Sequence, residues 1–170
     1  TLDSHQAYDA PHCANVLQSM LVPLLARETR LEVQEVREGE RPRANVVDIT
    51  PARWNITLRD RRLHLTEATA PGTPKPSVEQ FFASLAEDLG EAAMAVVLSD
   101  TGSDGARGMR AIRAAGGITF AQDESSAKHN GMPRAAVESG CVDYVLPPDA
   151  IARHRAPSRR RVAPLRRRRE

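Results

Sequence analysis

The sequence predicts an α/β domain built on a doubly wound, mostly parallel sheet with helices on both faces. Three observations predict it. Ala93-Met94-Ala95-Val96-Val97-Leu98 is an unbroken apolar run of strand length, as expected for a parallel strand covered on both faces. From Ala93 onward, strand and helix patterns alternate as β-α-β-α-β, the order that returns successive strands parallel in one sheet. The chain has 170 residues, 41% of them hydrophobic and only 4% aromatic, which gives room for one domain whose core rests on Leu, Val, Ile, Ala and Met.

Each element has its own signature. Residues 1–11 show no apolar period and read as irregular. Val16, Leu17, Met20, Leu21, Leu24 and Leu25 recur at helical spacing, predicting a helix with one buried face that is interrupted or kinked near Pro23. Leu31–Val36 alternates strictly and reads as a strand, Glu38–Pro42 as a turn, and Asn45–Thr50 as a second short strand. Asn55–Leu58 and Leu63–Leu65 flank Arg59-Asp60-Arg61-Arg62, which predicts a small β-hairpin with His64 on its outer face. Ala70–Pro76 is a Pro-rich connector. Ser77 caps a helix running to Leu89, with Phe81, Phe82 and Leu85 on one face and Gly90 as its stop. After the apolar strand come a Gly-rich loop and a helix over about Gly105–Ala115 with Met109 and Ile112 facing inward. Ile118–Ala121 is the next strand, Pro133 opens a helix to Ser139, and Val142–Leu146 is the last strand before Pro147-Pro148.

Charge is distributed unevenly. Residues 151–170 carry nine arginines and one acid, Glu170, for a net +8, while the preceding 150 residues carry −6. The body is acidic, which argues against nucleic acid as a partner except through the tail. Residues 153–170 are expected to form a disordered, Arg-rich tail, interrupted by Pro157 and Pro164. No stretch approaches the 18 apolar residues of a membrane span. Two cysteines, Cys13 and Cys141, make no disulfide framework and fit a reducing cytoplasm. The five histidines, at 5, 12, 64, 129 and 154, have no metal-ligand spacing, and no cofactor is implied.

Chemistry in such sheets gathers where strands end and loops enter helices. Ser99-Asp100-Thr101-Gly102-Ser103-Asp104-Gly105 follows the apolar strand directly. Its glycines free backbone N–H groups to face a ligand, and Asp104 stands where a carboxylate can cap the following helix or orient a histidine. A second loop, Ala121-Gln122-Asp123 through Gly131-Met132-Pro133-Arg134, follows the next strand. It reads equally as a polar surface loop capped by Ser125 or Ser126. Gly102 and Gly105 do not form a P-loop, because no Gly-Lys-Ser/Thr ending follows.

These residues carry a resemblance. Val96–Ser99 followed by Thr101-Gly102-Ser103-Asp104-Gly105-Ala106-Arg107-Gly108-Met109 resembles the signature of the CheB-type protein-glutamate methylesterase domain. Ala115–Asp123, Gly131-Met132-Pro133-Arg134-Ala135-Ala136 and Gly140–Pro148 resemble it too, as do Leu24–Thr29 and Asn55–Asp60 upstream. The resemblance runs over residues 12–152, which on this reading form the methylesterase-like domain.

The resemblance implies hydrolysis of glutamate methyl esters on chemotaxis receptors, with glutamine deamidation as a related activity, by a Ser-His-Asp triad. Counted without gaps, the family histidine falls on His12 and the family aspartate on Asp104. Thr101, Met132 and Pro133 would line the substrate and oxyanion region. The implied partners are the cytoplasmic domain of a methylated chemoreceptor and, in a longer parent protein, a receiver or methyltransferase domain.

Four departures from the family pattern stand out. The Gly-Ala-Ser turn that carries the nucleophile is not found, and Ser4, without glycine neighbours, is a poor substitute. The family's first strand and helix are expected to be missing, exposing an apolar sheet edge, and without the serine turn the chain alone is expected to be inactive. Asp100 stands where the family has glycine, placing a carboxylate beside the oxyanion region. Arg61 replaces a turn glycine in the hairpin. Three readings follow: a methylesterase domain whose nucleophile lies on other sequence, a noncatalytic relative that binds a receptor or partner, and a polyanion-binding role for the basic tail.

Overall fold

The computed structural model describes residues 20–68 and 77–154. In chain order these form α1 (Leu21–Glu28), β1 (Glu32–Glu35), β2 (Val46–Ile49), β3 (Trp54–Arg59), β4 (Arg62–Glu67), α2 (Val78–Leu89), β5 (Met94–Val97), α3 (Ala106–Ala114), β6 (Ile118–Gln122), α4 (Gly131–Glu138), β7 (Tyr144–Leu146) and α5 (Pro148–Arg153). Strands β5-β6-β7 form one parallel sheet, with Val97 level with Ala121 and Ala121 level with Val145. β1 and β2 pair in parallel, and β3 and β4 form the expected antiparallel hairpin.

The parallel sheet holds the main core. Ala95, Val97 and Ala121 on one face meet Met109 and Ile112 of α3 and Ala136 of α4, all of them buried. Burying a side chain of Met or Ile size contributes roughly 1.5–3 kcal/mol. Gly117 lets β6 start close against β5: a Cβ there would lie 2.7 Å from the Ala93 carbonyl oxygen. On the opposite face Phe120 stacks on Tyr144, and His154, just past α5, packs edge-on against Phe120.

Helix α2 joins this core to the hairpin. Phe82 and Ala86 point into the main core, while Phe81, Leu85 and Leu89 pack beside a second cluster of Val36, Ile56, Leu58 and Leu63. The crossing of α2 and α3 depends on Gly108, where a Cβ would meet the Phe82 Cβ at 2.6 Å. The hairpin turn holds Asp60 and Arg61 at φ of 51° and 58°, so Arg61 occupies the left-handed conformation that a glycine takes without strain. The link between β1 and β2 crosses the free edge of β4, where Gly39 donates to the Leu63 carbonyl and Leu63 to the Glu40 carbonyl, at 2.8 and 2.7 Å.

Several expectations are corrected. Helix α1 has no buried residue, and Leu21 and Leu24 are exposed, so it lacks the buried face its spacing suggested. Pro23 lies in its first turn, where a missing N–H leaves no hydrogen bond unmade, so it does not mark a kink. The predicted start at Val16 lies outside the described residues. Helix α4 begins at Gly131, two residues before Pro133. Helix α5 is not anticipated from the sequence, and it takes in Arg153, which the sequence groups with the tail. The expectation that β5 is covered on both faces fails, because its residues alternate between exposed and buried.

Candidate active site

Both candidate loops leave the carboxyl ends of adjacent parallel strands, and backbone contacts knit them together. Ser99 donates its N–H to Gln122 Oε1 at 2.8 Å, and His129 donates its N–H to Ser99 Oγ at 2.9 Å. Met132 donates its N–H to the Asp100 carbonyl at 3.0 Å. Glycine is required at position 131, because a Cβ there would lie 2.6 Å from the Thr101 carbonyl oxygen. Pro133 is fully buried, and Met132 packs against the main core. Met132 Cγ also lies 3.6 Å from where a Cβ on Gly102 would sit. The segments around Thr101 and Met132 thus meet where the two loops join, next to the buried Pro133.

Asp104 does not take the capping role that the sequence opened to it. Its carboxylate does not cap α3, whose N-cap Gly105 is left-handed at φ 100° and makes no side-chain bond. Instead it reaches α2, where Oδ2 accepts the Val78 N–H at 2.7 Å and Oδ1 the Glu79 N–H at 3.3 Å. Ser77 Oγ accepts the next amide, from Gln80, and Asn55 Oδ1 accepts the Ser77 N–H. The Gly-rich loop and strand β3 therefore converge with Ser77 on the positive end of α2, where the helix dipole favours a carboxylate. The half-buried Asp104 holds the Gly-rich loop to that end. His12 lies outside the described residues.

Asp100 is exposed, and its carboxylate accepts the N–H of Thr101 at 2.6 Å. One backbone donor of the Gly-rich loop is therefore already engaged by an anion. In the second loop, the hydroxyls of Ser125 and Ser126 hold the Asp123 carboxyl below the usual carboxylate range. Ser125 and Ser126 thus bond to Asp123 within the loop, and the N-cap of α4 is Asn130. Of the described imidazoles, His64 bonds Glu38 on the hairpin and His154 packs against Phe120 and Tyr144.

A cavity of about 530 Å³ opens beside the second loop, lined by Gln122, Asn130 and Pro133 together with Arg134, Val137 and Val145. A more apolar cleft of about 390 Å³ lies between the hairpin and α2 and shares no lining residue with either loop. Gln122 and Ser99 lie in the two candidate loops, but their role in tying those loops together was not read from the sequence. A glutamine at the carboxyl end of a largely apolar strand was the available signal for Gln122.

With this geometry in place, the comparisons with known proteins can be read. The CheB methylesterase family profile matches residues 10–154. The chain is 43% identical over 142 residues to protein-glutamate methylesterase/protein-glutamine glutaminase 2 of Anaeromyxobacter dehalogenans, covering 84% of this chain and 42% of that protein. It is 40% identical over 127 residues to the protein-glutamate methylesterase/protein-glutamine glutaminase of Moorella thermoacetica, covering 72% of this chain and 30% of that one. The chain thus spans less than half the length of these relatives. The crystal structure of the Thermotoga maritima CheB methylesterase catalytic domain superposes with a TM-score of 0.69 at 28% identity, over 75% of this chain and 69% of that domain. The family match covers most of the chain, and the chain belongs to the CheB methylesterase family.

Proposed function

We propose that this chain carries the histidine–aspartate half of a protein-glutamate methylesterase site, with His12 as general base and Asp104 as the residue that orients it. The nucleophilic serine comes from polypeptide outside the chain. Serine attacks the glutamyl ester carbonyl, His12 takes the serine proton and returns it to the departing methanol, and Asp104 holds the imidazole in the useful tautomer. Water then releases the glutamate in a second, mirrored step. Thr101, Met132 and Pro133 line the acyl and oxyanion side. The substrate is a methylated chemoreceptor, with glutamine deamidation as the related reaction, and the expected compartment is the cytoplasm.

The observation that carries this reading is the knitting of the two family loops at the carboxyl ends of β5 and β6. There the Met132 N–H meets the Asp100 carbonyl at 3.0 Å, and the motif aspartate lies four residues further along. One observation favours a noncatalytic relative instead: Asp100 engages the Thr101 N–H and sets a negative charge where an oxyanion would form.

A single experiment separates the two. The chain is fused behind the serine-bearing segment of the Anaeromyxobacter relative, and methanol release from methylated receptor is measured. Release that is lost in H12A and in D104N supports the methylesterase reading. No release from the fusion, with recovery in D100G, identifies Asp100 as the block and favours the binding-module reading. No release from either fusion overturns the catalytic reading.

A further inference from the structure

Among the described residues two polar side chains are buried, Thr119 and Gln122, and both stand on β6. A buried polar group is costly unless its donors and acceptors are matched, so each needs a reason. Thr119 serves the end of the sheet away from the site loops. Its hydroxyl donates to the Cys141 carbonyl at 2.8 Å and its N–H to Asp143 Oδ2 at 3.0 Å, which fastens the segment entering β7. Gln122 stands at the other end. Its backbone is fixed in the sheet, level with Leu146 of β7, and the Asp123 N–H donates to the Leu146 carbonyl at 3.1 Å. The β5–β6 ladder has ended one pair earlier, at Val97 and Ala121. Past that point the Gln122 side chain takes over from the backbone: Oε1 accepts the Ser99 N–H at 2.8 Å, and Nε2 donates to Ser126 Oγ at 3.2 Å. The amide orientation is fixed, because reversing it would set an NH2 against the Ser99 N–H. Ser126 cannot turn to donate back, since its hydroxyl donates to Asp123 Oδ2 at 2.7 Å. Ser99 is held a second time at Oγ, which accepts the His129 N–H at 2.9 Å.

We propose that Gln122 is a positioning residue of the site: its amide, carried on a rigid strand end, sets the spacing of the two loops through Ser99 and Ser126. The contact that depends on this spacing is the Met132 N–H on the Asp100 carbonyl, at 3.0 Å, where the two loops join. This role rests on the methylesterase reading above and deepens it, because Gln122 acts only through the loops it holds. Such a residue works on the transition state more than on substrate binding. A displacement of about 1 Å in the groups around a reacting centre costs roughly 10²-fold in rate, and supporting hydrogen bonds on a rigid element are what prevent it. Loss of the Gln122 amide therefore lowers kcat and leaves KM in place.

Two proteins read this role: the intact 170-residue chain reports loop geometry by amide exchange, and its fusion to the serine-bearing segment of the Anaeromyxobacter relative reports turnover. Q122M keeps the length of the side chain and loses both hydrogen bonds. Exchange at Ser99, His129 and Met132 should accelerate at least tenfold more than at Met109 and Ile118 of the core. In the fusion, kcat should fall at least tenfold with KM within twofold. T119V removes a polar group buried as deeply on the same strand; it should not single out those three amides and should leave kcat within twofold. S99A gives up only the tie to His129 and repeats the comparison should Q122M fail to fold, with His129 exchange faster by at least tenfold and kcat lowered at constant KM. The proposal is overturned if Q122M and T119V change exchange alike, as a purely structural amide would, or if Q122M raises KM and spares kcat. A parent fusion that releases no methanol counts against the methylesterase reading alone, and the exchange comparison then decides the role of Gln122 by itself.

Discussion

Replacing Asp104 by alanine should destabilise the fold whether or not any chemistry occurs, and the size of the effect follows from the bonds lost. Asp104 accepts the first two amides of α2, at 2.7 and 3.3 Å, while Ser77 accepts the third. Losing a helix cap costs about 0.5–2 kcal/mol, and a hydrogen bond to a charged acceptor contributes about 1.5–3 kcal/mol. Only the 2.7 Å bond is at full strength, and Ser77 still holds one amide, so D104A should cost ~2 kcal/mol. D104N keeps an acceptor for Val78 and loses the charge, so it should cost about half as much. With a urea m-value of about 1.5 kcal/mol/M, the D104A midpoint should fall by about 1.3 M at unchanged m. Faster exchange should be confined to the Val78 and Glu79 amides and the turn behind them. A midpoint within about 0.2 M of the parent, with those amides still protected, would refute the capping role. The consequence for function is practical: activity lost in D104A conflates two roles, and D104N separates them better.

Other perturbations have equally definite outcomes. Gly131→Ala should force Thr101 and Met132 apart, because its Cβ would lie 2.6 Å from the Thr101 carbonyl; a loss of about 2 kcal/mol in urea melts is expected, and an unchanged melt would contradict the close approach. Arg61→Gly removes a left-handed strain of about 1–2 kcal/mol but gives up backbone entropy and the exposed pair with Asp88, so a net gain of about 0.5 kcal/mol is expected, and a loss would mean the Asp88 contact outweighs the strain. The Glu38 carboxyl is held below its usual range first by the Leu65 N–H and then by His64. A depressed carboxylate stabilises the fold above its unfolded pKa and loses that contribution as pH falls through the folded value. The link over β4 should therefore loosen below about pH 4, and Glu38→Gln should flatten that acid limb of the stability profile.

The sequence made the parallel half of the fold legible because its signals are local. The apolar run at β5, the inward pair Met109 and Ile112, and the Ser77 cap each depend on neighbours a few residues away, and each element formed where it was expected. The hairpin was equally readable, including the strained Arg61. What stayed hidden depends on distance. Asp104 was weighed as a cap for its own helix, whereas its partner is the N-terminus of α2, more than twenty residues earlier in the chain. No local pattern encodes that contact. Helix α5 escaped because Pro147-Pro148 reads as a stop signal, although a proline at the first helical position is as much a start. The bare face of β5 could not be seen either, because an apolar run states what a strand can bury and not whether anything arrives to cover it. For the site, family motifs pointed to Thr101, Asp104, Met132 and Pro133. The ties through Ser99 and Gln122 emerged only in three dimensions.

The most direct measurement is methanol release from methylated chemoreceptor by the 170-residue chain alone, set beside the same chain joined to the serine-bearing segment of its Anaeromyxobacter relative. The chain alone should release methanol at the background rate. The joined protein should release it well above background, with that release lost in H12A and D104N. Turnover by the chain alone that disappears in D104N would contradict the half-site reading, because it would place a working nucleophile within these residues.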